Sequence, residues 1–343
     1  MQKTAKNNQG TILRIQRMST EDGPGLRSTI FFKGCPLSCA WCHNPESIAV
    51  ERQLHWTKIK CLGCLTCIDA CPKNALQMTG KGMIIDERRC DVCGACLSAC
   101  PSTALDIYGE YYKVEKLAAE VLKDKVFFEK SGGGVTLSGG EPTLQANFCR
   151  ELLELLKTTG VHTALDTCGQ CSWQTLEALL PHTDLVMFDL KEMDKVKHKK
   201  FTGANNKKIL ENLLRLARHA QLQKPSFQLW IRTPLIPGCT ATEKNIKNIG
   251  AFIGKNLNSA IARWELCTFN NLCLHKYEGL GLDWKFKKAP LLSAAEAQAL
   301  ADAARRSGAN PEIIHLSGPL KFAGEQTAKE VMNKKSAAVA TGK

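Results

Sequence analysis

Three cysteines near the N-terminus, Cys35, Cys39 and Cys42, stand in the run GCPLSCAWCHNPE with the spacing C-x3-C-x2-C. Thiolates so spaced ligate soft metals, yet a structural zinc or an ordinary iron–sulfur cluster takes four protein ligands. Either the fourth comes from elsewhere in the chain or a position is left open. Of the seventeen cysteines, eleven fall within residues 35–100. Disulfide scaffolds are usually short secreted chains, so tight cysteine clusters in a chain of 343 residues favour metal ligation. The other six, Cys149, Cys168, Cys171, Cys239, Cys267 and Cys273, read as ordinary buried thiols.

The remaining clustered cysteines form two near-repeats, CLGCLTCIDACP (61–72) and CDVCGACLSACP (90–101), about 29 residues apart. Each is C-x2-C-x2-C-x3-C-P, the spacing of bacterial ferredoxins, in which the fourth cysteine crosses to the other cluster. One [4Fe–4S] cluster would take Cys61, Cys64, Cys67 and Cys100, and the other Cys90, Cys93, Cys96 and Cys71. Zinc is the alternative, because C-x2-C also builds zinc knuckles; two tandem copies with the proline weigh against it. Filled in this way, the pair carries electrons or stabilises structure and has no thiol to lend. The vacancy in the three-cysteine loop then reads as a substrate position.

The elements around these cysteines decide where they point. LRSTIFFKG (26–34) reads as a strand running into the three-cysteine loop. Beyond the near-repeats, helices are expected at 114–124, 147–160, 172–181, 207–220, 242–256 and 294–308. Strands are expected at 134–140, 162–169, 184–191, 227–238 and 260–269; DLVMFDLK (184–191) is apolar enough to be buried on both faces. Six strands alternating with helices imply a parallel sheet, and six units rather than eight imply a partial (β/α)6 TIM-like barrel. Residues 1–52 and 113–343 are assigned to the barrel and 53–112 to a ferredoxin-like insert. The polar and glycine-rich residues fall at the C-terminal ends of the strands, where parallel α/β sheets place their sites. EIIHLSGP (312–319) is read as a further strand outside the barrel.

The apolar fraction of 44% permits a sizeable core. No apolar stretch approaches the roughly 18 residues of a membrane span, and the N-terminus lacks a secretory h-region. A soluble cytoplasmic protein is expected. The formal charge is +13, with a basic run at KEMDKVKHKK (191–200). No helix-turn-helix, zinc-finger or RNA-binding motif accompanies it, so nucleic acid is not an expected partner. A solvated surface is the plainer reading, and His198 in that run is expected at the surface.

C-x3-C-x2-C at the end of a first strand, in a (β/α)6-like chain, resembles the radical S-adenosylmethionine (SAM) superfamily. STEDGPGLRSTIFFKGCPLSCAWCHNPES and SGGEPTLQ (138–145) look like signatures of its glycyl-radical-enzyme activating enzymes. The ferredoxin-like insert resembles the subgroup with two extra clusters. The resemblance covers about Ile12 to Trp284. It implies an oxidoreductase in which the open iron of a three-cysteine cluster chelates SAM. Reductive cleavage then gives a 5′-deoxyadenosyl radical that takes hydrogen from a glycine of the partner. It also implies three [4Fe–4S] clusters in all and a monovalent cation. The partners implied are a glycyl radical enzyme, met at its C-terminal glycine loop, and an electron donor such as flavodoxin or ferredoxin. An anaerobic setting is implied, without nucleic acid or membrane.

Carried over residue by residue, Trp41 and His43 lie against adenine and cluster, and Ser138, Gly139, Gly140 and Glu141 match the family's SGGE around the methionine moiety. Asp166 and Asp189 match aspartates that help hold the cation, and Lys191 is placed to meet the methionine carboxylate. CTFNNLCLHKYEGLG (267–281) departs from the family pattern at Asn270 and Cys273 while retaining Lys276, Tyr277 and Gly281. The departure is placed towards the open side, where a partner enters, and tilts the expected partner towards a hydrocarbon- or aromatic-acting enzyme. Two other readings stand beside this one. A ferredoxin-type electron carrier would leave GCPLSCAWCHNPE idle. A radical SAM enzyme acting on a small molecule or nucleotide would not act on a glycyl radical enzyme.

Overall fold

Alternating apolar runs set the strands of the computed structural model, which describes residues 9–222 and 227–321. The first eight residues, part of the stretch read as lacking a leader, lie outside the described residues. The strands are β1 (Gln9–Ser19), β2 (Arg27–Phe32), β3 (Gln53–Trp56), β4 (Leu76–Thr79), β5 (Gly82–Ile85), β6 (Leu105–Tyr108), β7 (Glu110–Lys113), β8 (Gly134–Gly139), β9 (His162–Thr167), β10 (Leu185–Asp189), β11 (Gln228–Leu235), β12 (Arg263–Thr268) and β13 (Ile314–Ser317). The helices are α1 (Thr66–Asp69), α2 (Ala95–Ala99), α3 (Val114–Leu122), α4 (Lys125–Ser131), α5 (Ala146–Thr158), α6 (Trp173–Glu177), α7 (Lys195–Thr202), α8 (Lys207–Leu222), α9 (Glu243–Asn256), α10 (Leu274–Gly279) and α11 (Ala294–Arg305).

One open sheet runs β13-β12-β11-β10-β9-β8-β2-β1-β7. From β2 to β13 every pairing is parallel, with helices joining successive strands, as the alternation of sequence patterns requires. The expected six strands are all present. Ile314–Ser317 does not stand apart: it pairs in parallel with β12 and extends the same sheet. The antiparallel β1 and β7 at the other edge have no counterpart in the sequence reading. The helix expected over 172–181 stops at Glu177, and a separate 3-10 turn, Leu180–His182, follows around Pro181.

Period-two alternation gives the barrel strands two different faces. Val135, Leu137, Leu165, Val186, Phe188, Ile231, Trp264 and Leu266 join the main core beneath the helices, packed for example by Phe148, Leu152 and Leu156 of α5. The alternate residues face inward. Ala164, Leu185 and Met187, with Trp230 against them, form an apolar floor, and polar side chains lie above it towards the strand C-termini. Among the described residues no helix is long and apolar enough to cross a membrane.

Residues 53–108 leave this sheet and form two antiparallel pairs, β3 with β6 and β4 with β5, before β7 rejoins it beside β1. Their small core gathers Leu76, Leu105, Cys67 and Cys96, with Trp56 against it.

Candidate active site

The loop after β2 carries the three cysteines into a cavity of about 260 Å3 at the C-terminal end of the barrel. Cys35, Cys39 and Cys42 line one side of it, with Trp41 and His43. Ser138, Gly139, Gly140, Asp166, Asp189 and Lys191 line the other walls. Of the SAM contacts expected from sequence, only Glu141 is absent from the lining. Its fully buried carboxylate accepts from Thr143 Oγ1 and Thr167 Oγ1, both at 2.7 Å, and from the Cys168 amide at 2.8 Å. In this arrangement Glu141 ties the turn after β8 to the end of β9.

The two glycines are demanded by the neighbouring strand. Gly139 has φ +108°, and a Cβ there would sit 2.3 Å from the Phe32 amide nitrogen. A Cβ on Gly140 would sit 2.1 Å from the Gly34 carbonyl oxygen. Backbone thus packs on backbone where β2 and β8 open into the cavity.

Charge is concentrated in the middle of the barrel. Lys191 is buried and paired with Asp189. Burial pulls against its charge, but Asp189 and Cys39 outweigh that and raise its pKa. Ser138 donates to Asp166 at 2.6 Å. Arg232, which the sequence reading passed over, lies 3.7 Å from Asp166 and 3.3 Å from Glu265. The signal was available: like Asp189, Arg232 is a charged residue in an otherwise apolar strand. Cys168 and Cys267 also line the cavity, a placement beyond the reading of ordinary buried thiols. Cys149 fits it, donating to the Pro142 carbonyl inside the core.

Burial pushes the Asp166 carboxyl up to about 7, against the pull of Arg232. A carboxyl that holds its proton more tightly folded than unfolded contributes stability below about pH 4 and loses it as pH rises through about 7. Asp166→Asn is therefore expected to flatten the fall in stability between pH 4 and 7. Urea denaturation of both proteins at pH 5 and pH 7.5 measures it; parallel pH dependences would remove Asp166 as the source.

The loop is gripped from three directions. Beneath it, the Gly34 amide donates to Ser47 O at 2.7 Å and the Cys35 amide to Ile48 O at 3.0 Å. On one flank, the Ser38 and Ala40 amides donate to the Thr202 and Phe201 carbonyls of α7 at 2.8 and 2.9 Å, and Trp41 meets Phe201 edge-on. The sequence reading had no helix there. It also put His198 at the surface, whereas that ring is buried, 2.7 Å from the Ala204 carbonyl and 3.1 Å from Thr202 Oγ1. On the other flank sits 270–284. Tyr277 donates to Cys42 O at 2.8 Å, Trp284 to Ala40 O at 3.0 Å and Lys276 to His43 O at 2.9 Å. His43 Nε2 lies 3.1 Å from Asn270 O. The stretch assigned to partner entry therefore packs directly on the cysteine loop.

In residues 53–108 cysteines of the two runs approach one another. Cys100 lies within electrostatic reach of Cys64 and Cys67, and Cys71 within that of Cys90 and Cys96. The two crossing thiols have matching surroundings: the Ala75 amide donates to Cys71 Sγ and the Ala104 amide to Cys100 Sγ, each at 3.3 Å. Among the described residues, no three His, Cys, Asp or Glu side chains converge on a point where a single ion could sit.

The family described as the radical SAM superfamily matches residues 29–246. The chain is 41% identical to the (2S)-3-sulfopropanediol dehydratase activating enzyme of Klebsiella oxytoca, over 81% of this chain and 87% of that protein. Identity to the trans-4-hydroxy-L-proline dehydratase activating enzyme of Clostridioides difficile is 39%, over 78% and 86%. Identity to the benzylsuccinate synthase activating enzyme of Thauera aromatica is 35%, over 84% and 91%.

Proposed function

We propose, since the chain belongs to the radical SAM superfamily as one of its glycyl-radical-enzyme activating enzymes, that Cys35, Cys39 and Cys42 hold the cluster at which SAM is cleaved. The activity is reductive cleavage of SAM to a 5′-deoxyadenosyl radical that removes hydrogen from a glycine of the partner enzyme. The observation that carries the site assignment is the convergence of three thiols of one loop, the SGG turn, Asp166, Asp189 and Lys191 on a single cavity.

Within that cavity the chain's own residues bind and orient. Lys191, held by Asp189, meets the methionine carboxylate, and the backbone of Ser138, Gly139 and Gly140 lies along the amino-acid end. Trp41 and His43 flank the cysteines and meet the adenine. A monovalent cation would share Asp166 and Asp189 with Arg232 and Lys191, which already stand beside those carboxylates. Glu141 is assigned to holding the glycine turn rather than to touching SAM.

Residues 53–112 are assigned as a ferredoxin-like insert with two [4Fe–4S] clusters, on Cys61, Cys64, Cys67 and Cys100 and on Cys71, Cys90, Cys93 and Cys96. The donor sets fit, being all-thiol quartets with matched amide donors on the crossing members. An acidic electron donor such as flavodoxin or ferredoxin would reduce the chain. The higher identity to the dehydratase activators than to the benzylsuccinate synthase activator supports an eliminating partner over the hydrocarbon-acting one suggested by Asn270 and Cys273.

The test is incubation of the anaerobically reconstituted chain with reductant, SAM and candidate glycyl radical enzymes. A glycyl radical signal by electron paramagnetic resonance, with 5′-deoxyadenosine formed in parallel, is expected. Absence of SAM cleavage under strong reductant would end the reading.

A further inference from the structure

The two halves of the insert match in their cysteines and differ in the residues around the first two of each run. Cys61 corresponds to Cys90 and Cys64 to Cys93, and in each half the second cysteine is exposed. Around the first run Ile59 is 94% exposed, Leu62 74% and Leu65 43%, with Lys58 and Lys60 flanking Ile59 in a 3-10 turn. The positions corresponding to Leu62 and Leu65 in the second run are Asp91 and Gly94. Charge divides the same way: residues 57–85 hold four lysines and one aspartate, and residues 86–112 two arginines and five carboxylates. The second run also faces the barrel. Cys90, Asp91 and Val92 line a groove of about 900 Å3 whose other wall includes Thr11, Val50 and Leu144. No residue of 57–70 lines that groove.

Single exposed leucines are ordinary. Three large apolar side chains within seven residues, beside an exposed ligating thiol and on a basic ground, form a patch that calls for a partner. One of them is kept against a backbone cost. Leu65 has φ +63°, a left-handed conformation, where the corresponding Gly94 has φ +86°. That conformation costs a leucine and not a glycine; the second run bears the same cost at Val92 (φ +55°) where the first has Gly63 (φ +72°), so it is the exposure of Leu65 that sets the first run apart.

We propose that Lys58, Ile59, Lys60, Leu62 and Leu65 form the docking surface for an acidic electron-transfer protein that delivers its electron beside Cys64. The proposal rests on the reading of the insert as a two-cluster module. One electron leaves the donor's reduced centre and enters the insert; no bond forms or breaks. The lysines steer an acidic surface, the apolar side chains meet its edge, and the small area suits a short-lived redox encounter. Entry at the first run leaves the second run, against the barrel, as the exit side.

The test uses the reconstituted full chain and a reduced acidic flavodoxin as probe, with bleaching of iron–sulfur absorbance followed by stopped flow. Lys58→Glu with Lys60→Glu is expected to slow reduction about tenfold at low salt, the difference shrinking as salt is raised. Ile59→Ser with Leu62→Ser is expected to slow it at every salt concentration. Photoreduction by a neutral deazaflavin should be unchanged, with iron near twelve per chain, about four for each of three clusters. Carbodiimide cross-links to the flavodoxin should map to Lys58 and Lys60. With iron near twelve, a change under twofold, or cross-links on the barrel beside Cys42 instead, overturns the docking surface alone. Protection of Lys58 and Lys60 by a second copy of the chain, or by a glycyl radical enzyme in place of flavodoxin, overturns it as well. Iron near four per chain overturns the two-cluster reading and the docking surface with it.

Discussion

Cys39→Ala is expected to lower reductive SAM cleavage by about a thousandfold or more, roughly 4 kcal/mol of barrier. Cys39 sits centrally in a loop with no redundancy of shape: its neighbours donate amide hydrogen bonds to the carbonyls of Ser47, Ile48, Phe201 and Thr202. Desolvation pushes its pKa up to about 12, against the pull of Lys191. The contrasting substitution is Cys64→Ala with Cys93→Ala in the insert. That protein should keep about four irons and retain cleavage driven by a small chemical reductant, because the SAM cavity contains no residue of 53–112. Iron analysis and 5′-deoxyadenosine release measure both. Equal loss in the two variants would sink the assignment of catalysis to the three-cysteine loop.

Lys276→Met should destabilise the protein by about 3 kcal/mol. Its ammonium lies 2.9 Å from Glu46, 2.9 Å from His43 O and 2.8 Å from Asn44 Oδ1. Glu46 is almost fully buried, and its other oxygen has no partner among the described residues. Removing the lysine leaves that carboxylate with Arg14 alone, 3.0 Å away. Breaking a buried pair from one side costs more than the pair was worth, because the remaining charge stays desolvated. Tyr277→Phe, which deletes only the bond to Cys42 O, should cost about 1 kcal/mol. Denaturant midpoints measure both, and faster loss of the loop's iron should follow their order. A Lys276→Met protein within 0.5 kcal/mol of the parent would show that Glu46 finds another partner, and would remove the clamp.

Much of the fold is legible because a parallel barrel repeats one unit. Each strand is an apolar run such as Leu185–Phe188, and each helix repeats its buried face with a period near four, as in Phe148, Leu152 and Leu156. Charged residues that close such strands, Asp189 and Lys191, stand out for the same reason. Arg232 and Glu265 carry the same signal inside their strands, but it does not say whether they face the helices or the interior. Cys168 and Cys267 share that difficulty. The grip of 270–284 on the cysteine loop was invisible for another reason: it joins residues more than two hundred positions apart through backbone carbonyls, which leave no mark on residue type. His198 was misread because its helix is basic on its outer face, and the inward His198 is outnumbered by lysines.

That long-range grip also imposes an order on synthesis. All eight thiols of the insert lie between residues 61 and 100, together with the strands that frame them, so this module can close while most of the chain is still being translated. The three-cysteine loop is made earlier but shaped later. Its carbonyls wait for Tyr277 and Trp284, and its amides for α7. A nascent chain therefore carries an unshaped trio of thiols beside a finished pair of quartets. If the insert holds the two clusters proposed for it, iron delivered during translation is expected to reach it first, and the loop that comes out of the ribosome first to be loaded last.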